Sequence, residues 1–383
     1  NEITKAIDDD LSYDVILCDF QKAFDKVPFN SMLVKTEAHG VRGELLRWIA
    51  DWTKDRRQRV VLNGTESTWE KVTSSVVQGS VLGPILFTMY INDLDLAIKQ
   101  NDSDILVSKY ADDTKLGREI AEVSDCIRLQ DAANHLVNWC NEWGMALHPQ
   151  KCVVLHFGRK NPMHTYHIGD QKLEGVSSAK DLGVHVANTC EMSLHVEKIS
   201  KTAHAVLSQV RRATAIRDSR TFPMIYKSFV RPLLESAAPV WNPTKREDVN
   251  RLEKVQKRAL RMISDLGGLS YEERLKKLGI QSLEDRRRRG DAIEAFKTLS
   301  GLNNVDPRAW FTFVQDRHEK NTRSFAENRL VPERARLNIR KNFFTNRVTE
   351  VWNSLPSKVK AATSLNNFKN RYDEAYLLPN VST

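Results

Sequence analysis

Between residues 104 and 118 two short runs of strand character, DILVSKY and TKLGR, are separated only by Ala111-Asp112-Asp113. That spacing leaves room for a tight turn and nothing longer, so the sequence predicts two strands joined by an acidic hairpin. Two carboxylates in one turn repel each other, and where they are desolvated they titrate as a unit. A second apolar run, DVILCD at 14–19, also ends in a carboxylate and reads as a buried strand that delivers Asp19 to a surface. A fold for this chain has to seat acidic strand ends beside an apolar sheet. A divalent cation relieves that arrangement. Mg²⁺ in particular takes a few carboxylates together with substrate phosphates, and two such ions clamp an in-line phosphoryl transfer.

The surrounding pattern mixes strands and helices. Pro28 permits a helix start over 30–37, and Val41, Leu45, Trp48, Ile49 and Trp52 mark one apolar helical face over 41–54. Asn63-Gly64 between β-type runs predicts a hairpin. Helices are expected over 81–98, after Pro84, and over 121–143, which carries Leu129, Ala133, Leu136, Val137, Trp139 and Cys140. CVVLHF at 152–157 and DLGVHV at 181–186 read as further strands, and those near 14–19, 104–110, 114–118 and 152–157 are expected to form a mostly antiparallel sheet. From about 191 the chain turns helical, with Leu252, Val255, Ala259 and Met262 on one face of a helix and Lys254, Arg258 and Arg261 on another. Tyr226 and Trp241 read as core anchors of that bundle. Gly267-Gly268 marks a break, 286–289 is a run of four arginines, and 302–340 reads as a polar, Arg-rich loop.

Charge divides the same way. Residues 1–150 hold 16 Lys and Arg against 24 Asp and Glu, whereas 151–383 hold 42 against 25. The basic part reads as a polyanion surface, with nucleic acid the leading partner. Five cysteines without a C-x-x-C pair argue against a disulfide framework or a zinc knuckle and for a reducing, intracellular setting. No apolar run approaches the ~18 residues of a membrane helix. The chain begins at Asn1 without a basic-then-apolar leader, so no signal peptide is expected, and the sequence reads as starting inside a longer reading frame.

Five blocks in order carry a family resemblance. DVILCDFQKAFDKV at 14–27, SSVVQGSVLGPILFTMYINDL at 74–94, YADDT at 110–114, WGMALHPQK at 143–151 and DLGVHV at 181–186 resemble motifs A to E of reverse transcriptases. Their wording is most similar to non-LTR, LINE-type and jockey-like retrotransposon polymerases, as are RRRRGD at 286–291 and VWNSLPSKV at 351–359. The resemblance implies an α+β fold. It consists of a right-hand palm with partial fingers over 1–190, its sheet carrying helices on one face, then a helical thumb over 191–265 and a helical basic region over 266–383.

It also implies an RNA-directed DNA polymerase, in which a primer 3′-hydroxyl attacks the α-phosphate of a dNTP. Asp19, Asp112 and Asp113 match the carboxylates that hold two Mg²⁺ ions, for which Mn²⁺ can substitute, and the Phe20 carbonyl matches a further ligand. Phe24 matches the aromatic gate against a 2′-hydroxyl, and Gln78-Gly79 the contact to the incoming nucleotide. Lys151 matches the lysine near the leaving pyrophosphate, and Tyr110 is expected under the primer terminus. Arg211, Arg212, Lys254, Arg258 and Arg261 are expected to track template–primer phosphates. The implied partners are an RNA template, a DNA primer or nicked target DNA, and dNTPs, without a membrane. The implied location is the nucleus after a cytoplasmic ribonucleoprotein stage.

Three features depart from the pattern. Only about 18 residues precede Asp19, so most of the fingers and the upstream endonuclease are missing from the sequence, and no RNase H constellation appears. The alternative reading is a truncated, catalytically silent remnant that binds nucleic acid through its basic part. A two-metal nuclease is a third reading, which leaves Phe24 and Gln78-Gly79 unexplained. Asp25 is expected to cap the helix after motif A. His148, His156, His164 and His167 show no metal-ligand spacing and read as structural or exposed.

Overall fold

The computed structural model describes residues 1–317 and 329–376. Residues 318–328 of the expected loop and 377–383 of the C-terminal region lie outside the described residues. The chain divides into two compact units, one formed by Glu2 and Asp9–Leu182, the other by Asn1, Ile3–Asp8 and the chain from Gly183 onward. No helix among the described residues is long and apolar enough to cross a membrane.

The first unit is built on a five-stranded sheet. Its strands are β1 (Ser12–Cys18), β2 (Leu106–Tyr110), β3 (Asp113–Ile120), β4 (Val153–Phe157) and β5 (Glu174–Gly175), in the order β5-β4-β1-β3-β2. β1 pairs antiparallel with β3 and β4, β2 with β3, and only the short β5 runs parallel to its neighbour. β1 is the centre of the sheet and is buried along nearly all its length. Tyr13, Val15, Ile16 and Cys18 are all buried, the pattern of a strand covered on both faces. Burying Ile16 alone is worth about 1.5–3 kcal/mol.

Across one face lies a long helix, α3 (Val123–Trp143), whose Leu129, Ala133, Leu136 and Cys140 recur at helical spacing and join Ile16, Leu116 and Val154 in the core. Between β1 and β2 in the chain, α1 (Phe29–Ala38) and α2 (Gly43–Thr53) fall where the sequence places helices. Asn63 and Gly64 both take positive φ, 49° and 81°, between the paired segments Val61–Leu62 and Thr65–Glu66. That is the two-residue hairpin the Asn-Gly pair predicts.

Two expectations are corrected. The helix over 81–98 is interrupted, running Gly83–Ile91 and then Leu94–Ile98. At the break the Asp93 carboxylate accepts from Lys35 Nζ at 2.7 Å and from Trp139 Nε1 at 3.2 Å, so long-range partners take over where local periodicity would have continued. The single strand over 181–186 is two short ones, Ser178–Asp181 and Val184–Ala187. Leu182 and Gly183 between them both take positive φ, a turn rather than extended chain.

The second unit is largely helical. In it α4 (Ser193–Ala213) packs on α5 (Arg246–Arg261), with Val196, Ala203, Leu207, Leu252, Val255 and Ala259 in a common core. Tyr226 and Trp241 are fully buried in that core, as expected of anchors. A separate cluster joins α6 (Leu283–Leu299), α7 (Phe344–Ser354) and α8 (Leu365–Tyr376), where Phe296 stacks on Phe368 at 4.4 Å.

Candidate active site

The acidic end of the sheet follows from its register. Cys18 at the end of β1 pairs with Thr114, and Tyr110 pairs with Asp113. Continuing the β1–β3 register by one residue sets Asp19 opposite Asp113, and Ala111-Asp112 forms the two-residue hairpin turn. Ala111 holds φ 53°, a costly conformation for a residue with a Cβ, and the sort of local strain found at functional sites. Desolvation and then the charges of Asp112, Asp181 and Asp19 hold the Asp113 carboxyl above its usual range, against the opposing pull of Lys115.

The three carboxylates singled out in the sequence are therefore electrostatic neighbours. Asp181 is a fourth, which sequence reasoning missed; its carboxylate is taken by Lys115 Nζ at 2.5 Å. Among the described residues, no group of three or more His, Cys, Asp and Glu side chains is drawn close enough to hold a metal ion. The chemistry of the set still fits a divalent cation. The donors are all oxygens, partly exposed, and their mutual repulsion is what a cation would cancel.

A second segment fixes the backbone around Asp19. Gln21 N–H donates to the Ala146 carbonyl at 2.7 Å, and His148 N–H donates to the Asp19 carbonyl at 2.7 Å. These two bonds form an antiparallel bridge between Phe20 and Leu147 that leaves the Phe20 carbonyl out of the bridge. Asp19 N–H lies 3.4 Å from the buried Cys152 Sγ. The turn that follows carries Lys151, whose Nζ stands 4.0 Å from Asp19 Oδ1. Lys151 is thus beside the acidic cluster, but 61% of its side chain is exposed, and so open an ion pair adds little stability.

The residues expected to meet a nucleotide are stitched to motif A. Val76 N–H donates to the Phe24 carbonyl at 2.6 Å, and Ser74 Oγ donates to the Asp25 carbonyl at 2.8 Å. The half-buried Phe24 ring stacks on Phe87 at 4.4 Å. Gln78 Nε2 donates to Asp25 Oδ1 at 3.2 Å. Asp25 is therefore not the helix cap expected of it. It lies inside the helical turn Ala23–Lys26, whose N-cap is Lys22, and its carboxylate instead orients the Gln78 amide.

Gly79 follows at φ 79°, in the left-handed region glycine tolerates. A Cβ on Gly83 would stand 2.7 Å from the Val77 carbonyl, so the helix begins against the very loop that carries Gln78. Tyr110, at the end of β2 beside the turn, is 68% exposed.

In the second unit the basic residues separate into two kinds. Lys254, Arg258 and Arg261 form an exposed stripe on α5, opposite its buried Leu252, Val255 and Ala259. Arg211 and Arg212 are exposed at the end of α4, and Arg258 Nη1 reaches His204 Nδ1 of that helix at 3.4 Å. The run 286–289 behaves differently. Arg286 is bonded to Glu235 at 2.8 Å, Arg287 is 2% exposed with Nε on Asn242, and Arg289 holds Asp373 through two bonds of 2.6 and 2.7 Å. Most of that charge is internal rather than part of a polyanion surface.

Residues 6–186 match the family described as reverse transcriptase (RNA-dependent DNA polymerase). The chain is 26% identical over 281 residues to the probable RNA-directed DNA polymerase from transposon BS of Drosophila melanogaster, covering 69% of this chain and 30% of that protein. It is 24% identical over 254 residues to the RNA-directed DNA polymerase from mobile element jockey of the same organism, covering 64% of this chain and 28% of that protein. The chain thus spans about 30% of the length of these relatives. Among solved structures it is similar to apo telomerase from Candida tropicalis, at 11% identity and a TM-score of 0.38, covering 72% of this chain and 47% of that one.

Proposed function

We propose, for a chain whose residues 6–186 belong to the reverse transcriptase family, that it is the polymerase part of a non-LTR retrotransposon protein and extends a DNA primer on an RNA template. The observation that carries this reading is the strand register that sets Asp19 beside the Asp112-Asp113 turn, with Asp113 repelled by its neighbours. Asp19, Asp112 and Asp113, with the Phe20 carbonyl, would hold two Mg²⁺ or Mn²⁺ ions. Such ions, when bound, lower the pKa of the attacking hydroxyl and neutralise the triphosphate.

The chain's own residues do the remaining work. Asp25 fixes the Gln78 amide through one N–H, which leaves Gln78 Oε1 as an acceptor toward the nucleotide. Phe24, braced by Phe87, closes the space that a ribose 2′-hydroxyl would need. Lys151 leaves Asp19 to meet the departing pyrophosphate, as general acid or as counter-charge.

In this reading residues 1–190 are the palm with partial fingers, 191–265 the thumb and 266–383 a basic C-terminal region. Arg211, Arg212, Lys254, Arg258 and Arg261 follow phosphates of a template–primer hybrid by shape and charge. The protein works on nicked nuclear DNA after a cytoplasmic ribonucleoprotein stage. The test is primer extension on an RNA template annealed to a DNA primer, with dNTPs and Mg²⁺. Extension by the chain and none by an Asp112→Asn, Asp113→Asn double variant supports the reading. Hybrid binding that persists without extension by the unaltered chain overturns it.

A further inference from the structure

A site outside the acidic cluster lies wholly within the second unit. Trp310 and Phe343 are parallel to within 13°, with ring centroids 6.5 Å apart. Aromatic carbons in direct contact sit about 3.5 Å apart. The gap between the planes is at most that 6.5 Å, against about 7 Å for two such contacts, so the rings must part slightly to admit a further flat ring. Trp310 is 36% exposed although it is the largest apolar side chain type, and Phe343 is half-buried. Both rings line a cavity of about 380 Å³, to which Glu294, Thr298, Asn303 and Val305 also contribute. Arg340 stands over the Phe343 ring at 5.2 Å, which polarises it for stacking.

The charge around these rings matches a phosphodiester chain. Between 329 and 343 the sequence holds five Lys and Arg against one Glu. Arg334, Arg336 and Lys341 are exposed in that stretch, and Arg308 is exposed two residues before Trp310. Parallel aromatic faces flanked by cations are how proteins hold single-stranded nucleic acid without reading its sequence.

We propose that Trp310 and Phe343 form a slot for one unstacked nucleobase of a single-stranded nucleic acid. The strand runs along Arg308, Arg334, Arg336 and Lys341. Glu294 at the cavity wall accepts from Lys297 Nζ at 3.1 Å through Oε2, which leaves Oε1 as an acceptor for a donor on the base edge. This site needs neither Mg²⁺ nor dNTPs, so it stands or falls separately from polymerisation.

The test uses the full chain without Mg²⁺ and a short single strand carrying one 2-aminopurine, made once as RNA and once as DNA. Stacking between the rings quenches the 2-aminopurine, and Trp310→Phe keeps that quench. Trp310→Ala abolishes it and weakens binding about tenfold, the loss of one stacked base. Thermal unfolding of each variant checks the fold. Val305→Phe, which takes up cavity volume while leaving both rings of the pair in the chain, removes the quench as well and decides the matter should Trp310→Ala fold poorly. Equal quenching of RNA and DNA assigns recognition to the base alone, and quenching of one assigns the source of the base. A bright 2-aminopurine on the unaltered chain, or a quench that survives Trp310→Ala or Val305→Phe in a folded protein, overturns the proposal.

Discussion

Two carboxylates lie five residues apart, one within β1 and one just past its end, and have opposite surroundings. Asp14, in the middle of β1, is fully buried. It accepts from the Tyr166 hydroxyl at 2.7 Å and the Asn161 amide at 2.7 Å, and His156 Nδ1 lies 2.8 Å away. Asp19, just past the end of β1, is partly exposed, with Lys151 at 4.0 Å and like charges on its other side. Both carboxylate oxygens of Asp14 are committed to the fold. Those of Asp19 are left toward solvent. A buried charge that is fully hydrogen-bonded is part of the architecture. An acidic cluster without enough donors is held in place by the architecture for something else to bind.

The comparison can be broken in several ways. The largest expected effect is on chemistry. Asp112→Asn with Asp113→Asn should lower primer extension by at least about a thousandfold, while the unfolding midpoint stays level or rises because repulsion is removed. Next comes stability. Asp14→Ala takes the carboxylate from the buried Tyr166 hydroxyl and His156 ring and leaves Asn161 Nδ2 only its bond to the Phe157 carbonyl, and chemical denaturation should show a loss of about 3–5 kcal/mol.

Gly83→Ala sharpens the picture at the open end. Its new Cβ, 2.7 Å from the Val77 carbonyl, must push the loop that carries Gln78. Steady-state kinetics should show KM for dNTP rising about tenfold with little change in kcat, for about 1–3 kcal/mol of overpacking. Phe24→Val should relax discrimination against ribonucleotides, read as the ratio of rNTP to dNTP incorporation. Unchanged rNTP incorporation would remove Phe24 from its assigned role.

The smallest effect is on pH. Asp113 titrates above its usual range in the folded chain, so the folded state binds that proton more tightly than the unfolded one. Without metal, stability should be greatest at acid pH in this respect and should decline as pH rises through the carboxylate range. Asp113→Asn should flatten that part of the profile of unfolding midpoint against pH.

Much of this was legible in local pattern. The apolar run that ends at Asp19, the Asn63-Gly64 hairpin and the face of α3 each depend on neighbours within a few residues, and the sequence states them directly. What escaped depends on partners far along the chain. Asp25 reads as a cap until Gln78, 53 residues later, is found on its carboxylate. Asp181 gains its place only through Lys115, 66 residues earlier. The arginine run 286–289 reads as a surface because its acceptors, Glu235 and Asp373, are 51 and 84 residues away. The break in the predicted 81–98 helix likewise belongs to Lys35 and Trp139, not to any breaker in the segment.

The most direct measurement sets Asp14→Asn beside Asp19→Asn, recording for each the unfolding midpoint and Mg²⁺-dependent extension of a DNA primer on RNA. Asp19→Asn should unfold like the unaltered chain and extend nothing. Asp14→Asn should unfold at a lower temperature and, below that temperature, extend at the unaltered rate. Extension by Asp19→Asn at the unaltered rate would remove Asp19 from the catalytic site.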